Sequence, residues 1–443
     1  MTHPFLERMH GFGSSDAIVF DGTTYGYDDL LALTALWRRR LAAVGVEPGG
    51  VVALEGPYSA DCCAAFLALI ERGAIVVPLS DPPPGRRAEF HDIAQVEYVI
   101  TVDGGRHGPA RTGRRAAHEL YGRLPAGGLV LFSSGTTGHS KASVLDLAKV
   151  LGRYGEPARP RRTLSFLNLD HIGGVNTLLH TLSQGGTVIT VPDRTPDGVL
   201  AAIAAHRAEV LPTTPTFLTM LLVTGAVTRH DTSALRLVTY GTEPMPAATL
   251  RRITEAFPGV RFKQTYGLSE LGILPTRSRG DATPWVKLGD AGFDHKIVDG
   301  VLWIRSDMAM LGYLNAPAPF DADGYFDTQD MVEVDGEWVR ILGRRSEIIN
   351  VGGEKVYPSE VESVLLEVPN VADAIARGRP SPVTGMVVEA TVKLVEPEDE
   401  RAVARRVREH CGRRLEPYKV PAVVGVSDAD QHSGRFKKLR SAA

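Results

Sequence analysis

Residues 51–79 have the sequence VVALEGPYSADCCAAFLALIERGAIVVPL. Two short apolar runs in it, 51–55 and 75–79, have the length and composition of buried strands. Between them, residues 60–72 place apolar side chains at helical spacing, so the stretch predicts a strand, a helix and a second strand. Such alternation favours a layered α/β fold, because helices that join strands of one sheet also cover its faces.

The same alternation extends through the N-terminal region of the chain. Apolar patterns predict helices at 27–44 and 197–206 and strands at 128–132, 187–191, 210–211 and 235–240. A proline cluster at 82–84 breaks the pattern, and the stretch 104–116, rich in Gly and Arg, is expected to be a surface loop. Repeated βα units therefore predict one large α/β domain.

The pattern changes twice further along the chain. Beyond residue 297, short hydrophobic runs are separated by turns such as Asp299-Gly300 and Asp335-Gly336, which favours an antiparallel β unit. After residue 342, the predicted elements are helices at 358–366 and 400–415 and strands near Ala374 and at 388–394. We therefore expect a large domain at 1–342 and a small α+β domain at 343–443.

Composition limits the classes of partner. The chain has 443 residues, of which 43% are hydrophobic, and its 49 basic and 52 acidic residues leave a formal charge of -3. No global field favours nucleic acid or an anionic membrane, so a small-molecule partner is expected. Three cysteines without zinc-like spacing imply no disulfide framework, and no segment has eighteen uninterrupted apolar residues. We expect a cytoplasmic protein with no membrane span.

A run of small hydroxyl residues and glycines follows the predicted strand 128–132. It reads Ser133, Ser134, Gly135, Thr136, Thr137, Gly138, His139, Ser140 and Lys141. Glycines let backbone N–H groups approach an anion, hydroxyls donate to phosphate oxygens, and Lys141 can offset the charge of departing phosphates. The alternative is a flexible turn, because these residue types also dominate loops.

This run resembles the signature loop of the adenylate-forming (AMP-binding) superfamily, which includes acyl-CoA synthetases, luciferases and peptide-synthetase adenylation domains. Matching segments follow in the family's order from about residue 18 to the C-terminus, although Ser140 stands where the family has proline. The resemblance implies that the loop residues Ser133, Ser134, Gly135, Thr136, Thr137 and Gly138 bind the nucleotide and that Lys141 is catalytic.

Two further segments resemble family segments that contact the adenine and the phosphates. Residues 264–270 are similar to the family's Y-G-x-[ST]-E segment, which implies that Tyr266 flanks adenine, Ser269 meets phosphate and Glu270 binds magnesium. Gly267 is implied in both nucleotide and acid binding. Upstream, Gly241, Thr242 and Glu243 match the adenine-contact loop. The alternative is a Tyr that only packs and a Glu that only faces solvent.

The ribose and the hinge between domains have matches as well. Asp330 ends a segment similar to the family's T-G-D, and its carboxylate is implied to accept from the ribose hydroxyls, although the middle glycine is Gln329. Arg344 begins the implied hinge at 344–346 and is implied to contact ribose or phosphate, with Ser346 at the hinge position. Residues 352–362 resemble the loop that moves in beside the pantetheine channel in thioester-forming members.

The C-terminal segment departs from the family. The family's lysine, which bridges the carboxylate and ATP, aligns with Arg435 in the run 432–438. Arginine is not a neutral replacement, because its planar fork is bulkier and distributes the charge differently. Three explanations remain open: Arg435 acts with altered geometry, Lys437 reaches in instead, or adenylation proceeds slowly without this contact.

The segment 167–174 resembles the family's acyl pocket, with His171 at the position that borders the substrate. Asp170 stands where amino-acid-activating relatives keep an amine-binding aspartate. A buried carboxylate needs a partner, so Asp170 is expected to pair with a substrate amine, with His171 or with a backbone donor. The first alternative gives the hypothesis that the acid carries an amino group.

The resemblance implies a two-step ligase that uses ATP and Mg²⁺. A carboxylic acid attacks the α-phosphate, pyrophosphate leaves, and the acyl group passes to the thiol of CoA or of a phosphopantetheine-bearing acyl carrier protein. In the alternative readings, the acyl group passes to an amine or another nucleophile, or the protein is an impaired nucleotide-binding sensor. The departures at Gln329, Ser346 and Arg435 motivate the last one.

Overall fold

The computed structural model describes residues 4–80, 82, 85–103, 106–134, 140–289, 292–429, 431–432 and 436–440. In these ranges the α-helices are α1 (Pro4–His10), α2 (Tyr27–Ala43), α3 (Ala60–Arg72), α4 (Arg86–Ile93), α5 (Leu147–Gly152), α6 (Ile172–Ser183), α7 (Pro196–His206), α8 (Pro215–Thr224), α9 (Ala247–Ala256), α10 (Pro358–Leu365) and α11 (Glu400–Gly412). Short 3-10 helices occupy Tyr121–Arg123, Ala226–Thr228, Arg345–Glu347 and Pro417–Lys419.

The strands in the same ranges follow in chain order. They are β1 (Asp16–Phe20), β2 (Thr23–Gly26), β3 (Val51–Glu55), β4 (Ile75–Leu79), β5 (Tyr98–Asp103), β6 (Arg106–Arg111), β7 (Gly128–Ser134), β8 (Ser140–Asp146), β9 (Arg162–Ser165), β10 (Thr187–Thr190), β11 (Val210–Thr213), β12 (Leu237–Tyr240), β13 (Arg261–Gln264), β14 (Tyr266–Leu268), β15 (Gly272–Leu274), β16 (Thr276–Ser278), β17 (Trp285–Leu288), β18 (Phe293–Val298), β19 (Val301–Ser306), β20 (Gly312–Tyr313), β21 (Phe326–Asp335), β22 (Trp338–Arg344), β23 (Ile349–Val351), β24 (Glu354–Val356), β25 (Val371–Ser381), β26 (Gly385–Leu394) and β27 (Val423–Val426).

Two seven-stranded sheets build the large N-terminal part of the chain. Their orders are β13-β12-β11-β9-β10-β1-β2 and β20-β8-β7-β4-β3-β5-β6. Most inner pairs are parallel, as β3 is with β4 and β5, whereas β7 and β8 are antiparallel. The largest buried cluster joins both sheets to the helices between them through side chains such as Ile18, Leu54, Phe66 and Leu178. The predicted layered α/β architecture is therefore confirmed.

A six-stranded sheet, β16-β17-β22-β21-β19-β18, follows the two large sheets. Its pairs β18–β19 and β21–β22 are antiparallel hairpins, closed at the predicted Asp-Gly turns. Asp299 and Gly300 have φ of 52° and 77°, the left-handed pair that a two-residue hairpin turn needs. The antiparallel unit predicted from the sequence is present.

The C-terminal part has its own sheet, ordered β24-β23-β26-β25, with β27 parallel to β26. Helices α10 and α11 cover it and supply Val361, Leu365, Val403 and Val407 to a separate buried cluster. Ala248 of α9 belongs to the same cluster, so the small unit packs against the large one there.

One local prediction was wrong. Residues 106–111, inside the stretch 104–116 that was expected to be a surface loop, form β6 at the edge of the second sheet, antiparallel to β5. An edge strand forms its backbone ladder on one side only and need not bury alternate side chains, so its sequence shows no strand period.

Among the described residues, none of the helices combines the length and apolarity that a membrane span requires. Cys62, Cys63 and Cys411 are free and buried. Burial raises the pKa of Cys411 to about 11, so this thiol stays protonated and unreactive at neutral pH.

Candidate active site

The β7–β8 hairpin brings the first predicted site residues together. Ser133 and Lys141 are directly paired across it. Gly135, Thr136, Thr137 and Gly138, which join the two strands, lie outside the described residues, as do His139 and the side chain of Ser134. The backbone pairing holds Lys141 at the end of the hairpin where the phosphate loop is expected.

Glu270 lies beside this hairpin and is 8% exposed. Its Oε1 accepts a hydrogen bond from the Tyr313 hydroxyl at 2.7 Å and a longer one from Ser133 Oγ at 3.5 Å. The Lys141 ammonium lies 5.2 Å from the centre of the Tyr313 ring. Burial, and secondarily the charge of Glu270, raises the pKa of Tyr313, so its hydroxyl remains a donor. Sequence reasoning missed Tyr313.

A second cluster forms around Asp330, which is paired with Arg344 in the β21–β22 ladder. The Tyr266 hydroxyl donates to Asp330 Oδ2 at 2.5 Å, and Arg344 Nε lies 2.8 Å from Oδ1. Burial raises the pKa of Asp330, although the positive charges of Arg344 and Lys437 oppose that rise. The structure thus brings three predicted nucleotide residues into contact.

The two clusters belong to one site. The pKa of Arg344 is raised mainly by Asp330 and, among smaller contributions, by Glu270. The charge of Arg344 in turn acts on Tyr313, the hydrogen-bond partner of Glu270. The carboxylates Glu270 and Asp330 therefore share one electrostatic environment with Arg344.

Two glycines let the backbone approach closely around this site. A Cβ on Gly241 would lie 2.5 Å from the Thr265 carbonyl oxygen, and one on Gly267 would lie 2.8 Å from the Gly272 carbonyl oxygen. Gly267 pairs with Ile273 in the β14–β15 hairpin. Ser269, half-buried, precedes Glu270 in the turn of that hairpin. Neither glycine position has room for a larger residue.

Thr242 and Glu243 continue the loop after β12. Thr242 is exposed and has a φ of 75°, in the left-handed region that disfavours threonine. The Glu243 carboxylate accepts from the backbone N–H of Thr216 at 2.8 Å and from that of Lys438 at 3.4 Å. Burial raises the pKa of Glu243. The carboxylate thus contacts the first turn of α8 and the C-terminal segment, a contact that no sequence signal predicted.

Asp170 and His171 lie where the chain enters α6, and both are half-buried. His171 caps this helix, because its Nδ1 accepts from the Gly173 N–H at 3.0 Å. The neutral ring then carries its proton on Nε2. A Cβ on Gly174 would lie 2.0 Å from the Asn168 carbonyl oxygen, so the segment folds tightly back on the helix.

The C-terminal segment passes beside the same site. His432 and Lys438 form an antiparallel bridge, and the Leu439 N–H donates to the Gln431 carbonyl at 3.0 Å. Arg435, which falls between His432 and Lys438 in the sequence, lies outside the described residues. Lys437 is described, and its charge acts on Asp330.

Comparison with known proteins agrees with this geometry. Residues 5–122 and 128–314 match the family model described as AMP-binding enzyme, and residues 360–437 match the one for the AMP-binding enzyme C-terminal domain. The chain belongs to the AMP-binding enzyme family. The resemblance stated from the motifs is therefore confirmed.

Individual AMP-binding enzymes cover nearly the whole chain. The long-chain-fatty-acid–CoA ligase FadD13 of Mycobacterium tuberculosis is 27% identical over 450 residues, covering 90% of this chain and 89% of that protein. The feruloyl-CoA synthase of an Amycolatopsis species is 28% identical over 470 residues, covering 96% and 94%. The anthranilate CoA ligase AuaEII, solved with anthranoyl-AMP, has a TM-score of 0.83 at 19% identity, covering 99% of this chain and 96% of that chain. The relatives matched by sequence are CoA ligases, so this chain is an AMP-forming ligase.

The side chains of this AMP-binding enzyme fit ATP and Mg²⁺ chemically. Glu270 offers carboxylate oxygens and Ser133 a hydroxyl oxygen, which are ligand types that Mg²⁺ prefers. Lys141 and Arg344 carry positive charge that would suit phosphates, and the Asp330 carboxylate offers acceptors that would suit ribose hydroxyls. Bound Mg²⁺ would neutralise charge on the phosphate oxygens.

Proposed function

We propose that this AMP-binding enzyme uses ATP to convert a carboxylic acid into an acyl-adenylate, releases pyrophosphate, and transfers the acyl group to the thiol of CoA. The observation that carries the proposal is the shared site of Glu270, Asp330 and Arg344, which combines metal-binding, ribose-binding and phosphate-binding chemistry. The described relatives act as CoA ligases, which supports CoA as the acceptor.

Each side chain has a defined part in the proposed first step. Asp330 accepts from the ribose hydroxyls, and Tyr266, already fixed by its bond to Asp330, lies along the adenine. Arg344 and Lys141 stabilise negative charge as the carboxylate attacks the α-phosphate. Glu270, oriented by Tyr313, holds Mg²⁺. Lys437, which acts on Asp330, bridges the acid and the nucleotide in place of the family's lysine.

For the second step, we propose that residues 343–443 turn as a lid about 344–346. Rotation of the small unit would present the loop Gly352-Gly353 and strand β24 to the site. A phosphopantetheine arm on a carrier protein has the same reactive thiol as CoA, so it is the alternative acceptor. Parallel assays with CoA, a holo carrier protein and simple amines distinguish these acceptors by the product formed.

The proposed function is tested by pyrophosphate release. Purified protein is incubated with ATP, Mg²⁺ and a panel of carboxylic acids, and the same assay is run on Glu270→Gln. Glu333→Gln is the matched control, because Glu333 lies on β21 in an exposed ion pair with Arg340. We expect acid-dependent release that Glu270→Gln abolishes and Glu333→Gln retains. Failure of every acid to stimulate release, despite ATP binding, would reject the proposal.

We further propose that the acid carries an amino group that Asp170 binds. The position of Asp170 directly before the α6 cap, at the implied acyl pocket, supports this. A charge-assisted hydrogen bond is worth about 1.5–3 kcal/mol, so Asp170→Asn should lower kcat/KM for an amino-bearing acid roughly 10- to 150-fold. The same substitution should leave the matching acid without the amino group unchanged. Equal losses for both acids would exclude an amine-binding role.

A further inference from the structure

Phe436 lies in an aromatic cluster that joins the C-terminal segment to the large domain. Its ring centre is 4.8 Å from that of Phe166 and 5.5 Å from that of Phe217. Phe166 directly follows β9, Phe217 lies in the first turn of α8, and both are almost completely buried. The Arg194 guanidinium carbon lies 5.6 Å from the centre of the Phe436 ring. We call Phe166, Phe217 and Phe436 the aromatic socket.

The backbone on both sides of Lys437 is tied to the same end of α8. The Thr214 hydroxyl donates to the Phe436 carbonyl at 3.0 Å, and its oxygen also accepts from the Phe217 N–H at 3.1 Å, capping the helix. The Lys438 N–H donates to Glu243, whose other carboxylate oxygen accepts from the N–H of Thr216. Lys437 is thus held between two fixed neighbours.

The conformation of Phe436 is one that aromatic residues rarely adopt. Its φ is 53°, in the left-handed region, where a bulky residue is disfavoured. Such a backbone is strained and persists only where its surroundings fix it. Here the ring contacts and the Thr214 bond fix it, and the resulting bend sets the direction in which the next residue, Lys437, leaves the backbone.

We propose that the aromatic socket is a positioning device for adenylation. It seats the C-terminal segment against the large domain so that Lys437 faces the nucleotide site, and Phe436 is its positioning residue. This inference rests on the function proposed above. Because the socket joins the two units of the chain, rotation of the small unit must open it. Its contribution is therefore confined to the first half-reaction.

The test measures the two half-reactions separately. The first is acid-dependent pyrophosphate release, and the second is thioester formation from CoA and a synthetic acyl-adenylate of the preferred acid. Displacement of a catalytic group by about 1 Å costs on the order of 10²-fold in rate, so Phe436→Ala should slow the first by about that factor. The second should stay at the wild-type rate. Lys437→Ala should show the same selective loss, and Phe436→Leu should recover part of it.

Phe257→Leu is the matched control, because Phe257 belongs to the same buried cluster but contacts Phe262 rather than the C-terminal segment. It should change the half-reactions in parallel or not at all. A parallel loss in Phe436→Ala, a wild-type rate of release in that variant, or unimpaired release in Lys437→Ala would overturn the positioning role. No acid-dependent release from the wild-type protein would instead reject the proposed function.

Discussion

Replacing Glu362 with glutamine should destabilise the small domain and its attachment to the C-terminal segment. Glu362, on α10, has no solvent exposure. Its carboxylate accepts hydrogen bonds from Arg440 Nη2 at 2.8 Å and from Arg440 Nε at 3.0 Å. The Lys438 Nζ lies 3.8 Å from the same carboxylate. The Ala376 N–H donates to it at 3.1 Å. Glutamine keeps the shape but removes the charge that balances two nearly buried cations.

The loss of stability depends on the ion-pair partners that Arg440 and Lys438 retain. Breaking a buried ion pair by removing one partner costs about 3–5 kcal/mol. Arg440 would still lie 3.0 Å from Glu347, and Lys438 would still lie 3.1 Å from Asp373. Because these partners remain, we expect Glu362→Gln to cost about 3 kcal/mol of unfolding free energy, the lower end of that range.

Hydrogen exchange is the suitable assay. The tryptophans, at 37, 285, 303 and 338, all precede residue 343, so their fluorescence reports on the large domain. Backbone amides of β25, with Ala376 foremost, report on the small one. A loss of about 3 kcal/mol should speed their exchange roughly 150-fold if they open with the domain. Glu389→Gln is the control, since Glu389 pairs in the same sheet with the exposed Arg377, and it should cost less than about 1 kcal/mol.

The pH dependence gives an independent check. Burial alone would raise the pKa of Glu362, but the charges of Arg440 and Lys438 and the hydrogen bonds hold it below the usual 4.5. A carboxyl whose pKa is depressed in the folded state contributes stability that is present above its unfolded value and lost as pH falls through the folded one. The difference between wild type and Glu362→Gln should therefore shrink below pH 4.5. A cost equal to that of Glu389→Gln, or one independent of pH, would refute this reasoning.

Three further perturbations test the site. Tyr313→Phe removes the hydrogen-bond donor to Glu270. Because partners that orient a metal ligand are worth about 10- to 100-fold in metal affinity, the Mg²⁺ concentration for half-maximal pyrophosphate release should rise at least about tenfold. An unchanged concentration would contradict the orienting role of Tyr313. Asp330→Asn should weaken AMP binding in calorimetry at least about tenfold, because charge-assisted acceptors are lost, and an unchanged Kd would remove Asp330 from the ribose site. Gln329 has a φ of 63°, so Gln329→Gly should be about 1 kcal/mol more stable to thermal unfolding than Gln329→Ala, and equal stability would mean that the turn is unstrained.

Local patterns in the sequence predicted the elements that depend on local physics. The strand, helix and strand of residues 51–79 occur at the predicted bounds, because each buried face has its own period. The Asp299-Gly300 hairpin also formed as expected, since few residues accept two successive positive φ angles.

Contacts between distant parts of the chain gave no such signal. The Tyr313 hydroxyl reaches Glu270 across 43 positions, and the Lys438 N–H reaches Glu243 across 195. Glu243 was assigned to the nucleotide from its place in the adenine-contact loop, and the structure turns its carboxylate to α8 and the C-terminal segment. A motif fixes where a backbone loop lies, but side-chain partners depend on which distant elements pack beside it.

The departures from the family pattern have a physical consequence at the hinge. Gln329, which stands where the family has glycine, has a φ of 63°, in the left-handed region that glycine adopts without strain. Its side chain then accepts from Arg345 at 2.6 Å, and the same guanidinium lies 3.3 Å from Asp327. On the other side of Ser346, Glu347 pairs with Arg440 of the C-terminal segment. If the small domain turns about 344–346 as we propose, the contacts of Arg345 with Gln329 and Asp327 oppose that turn, because they tie the hinge to β21 of the large domain. Glu347 and Arg440 both lie in the small domain, so their ion pair turns with it.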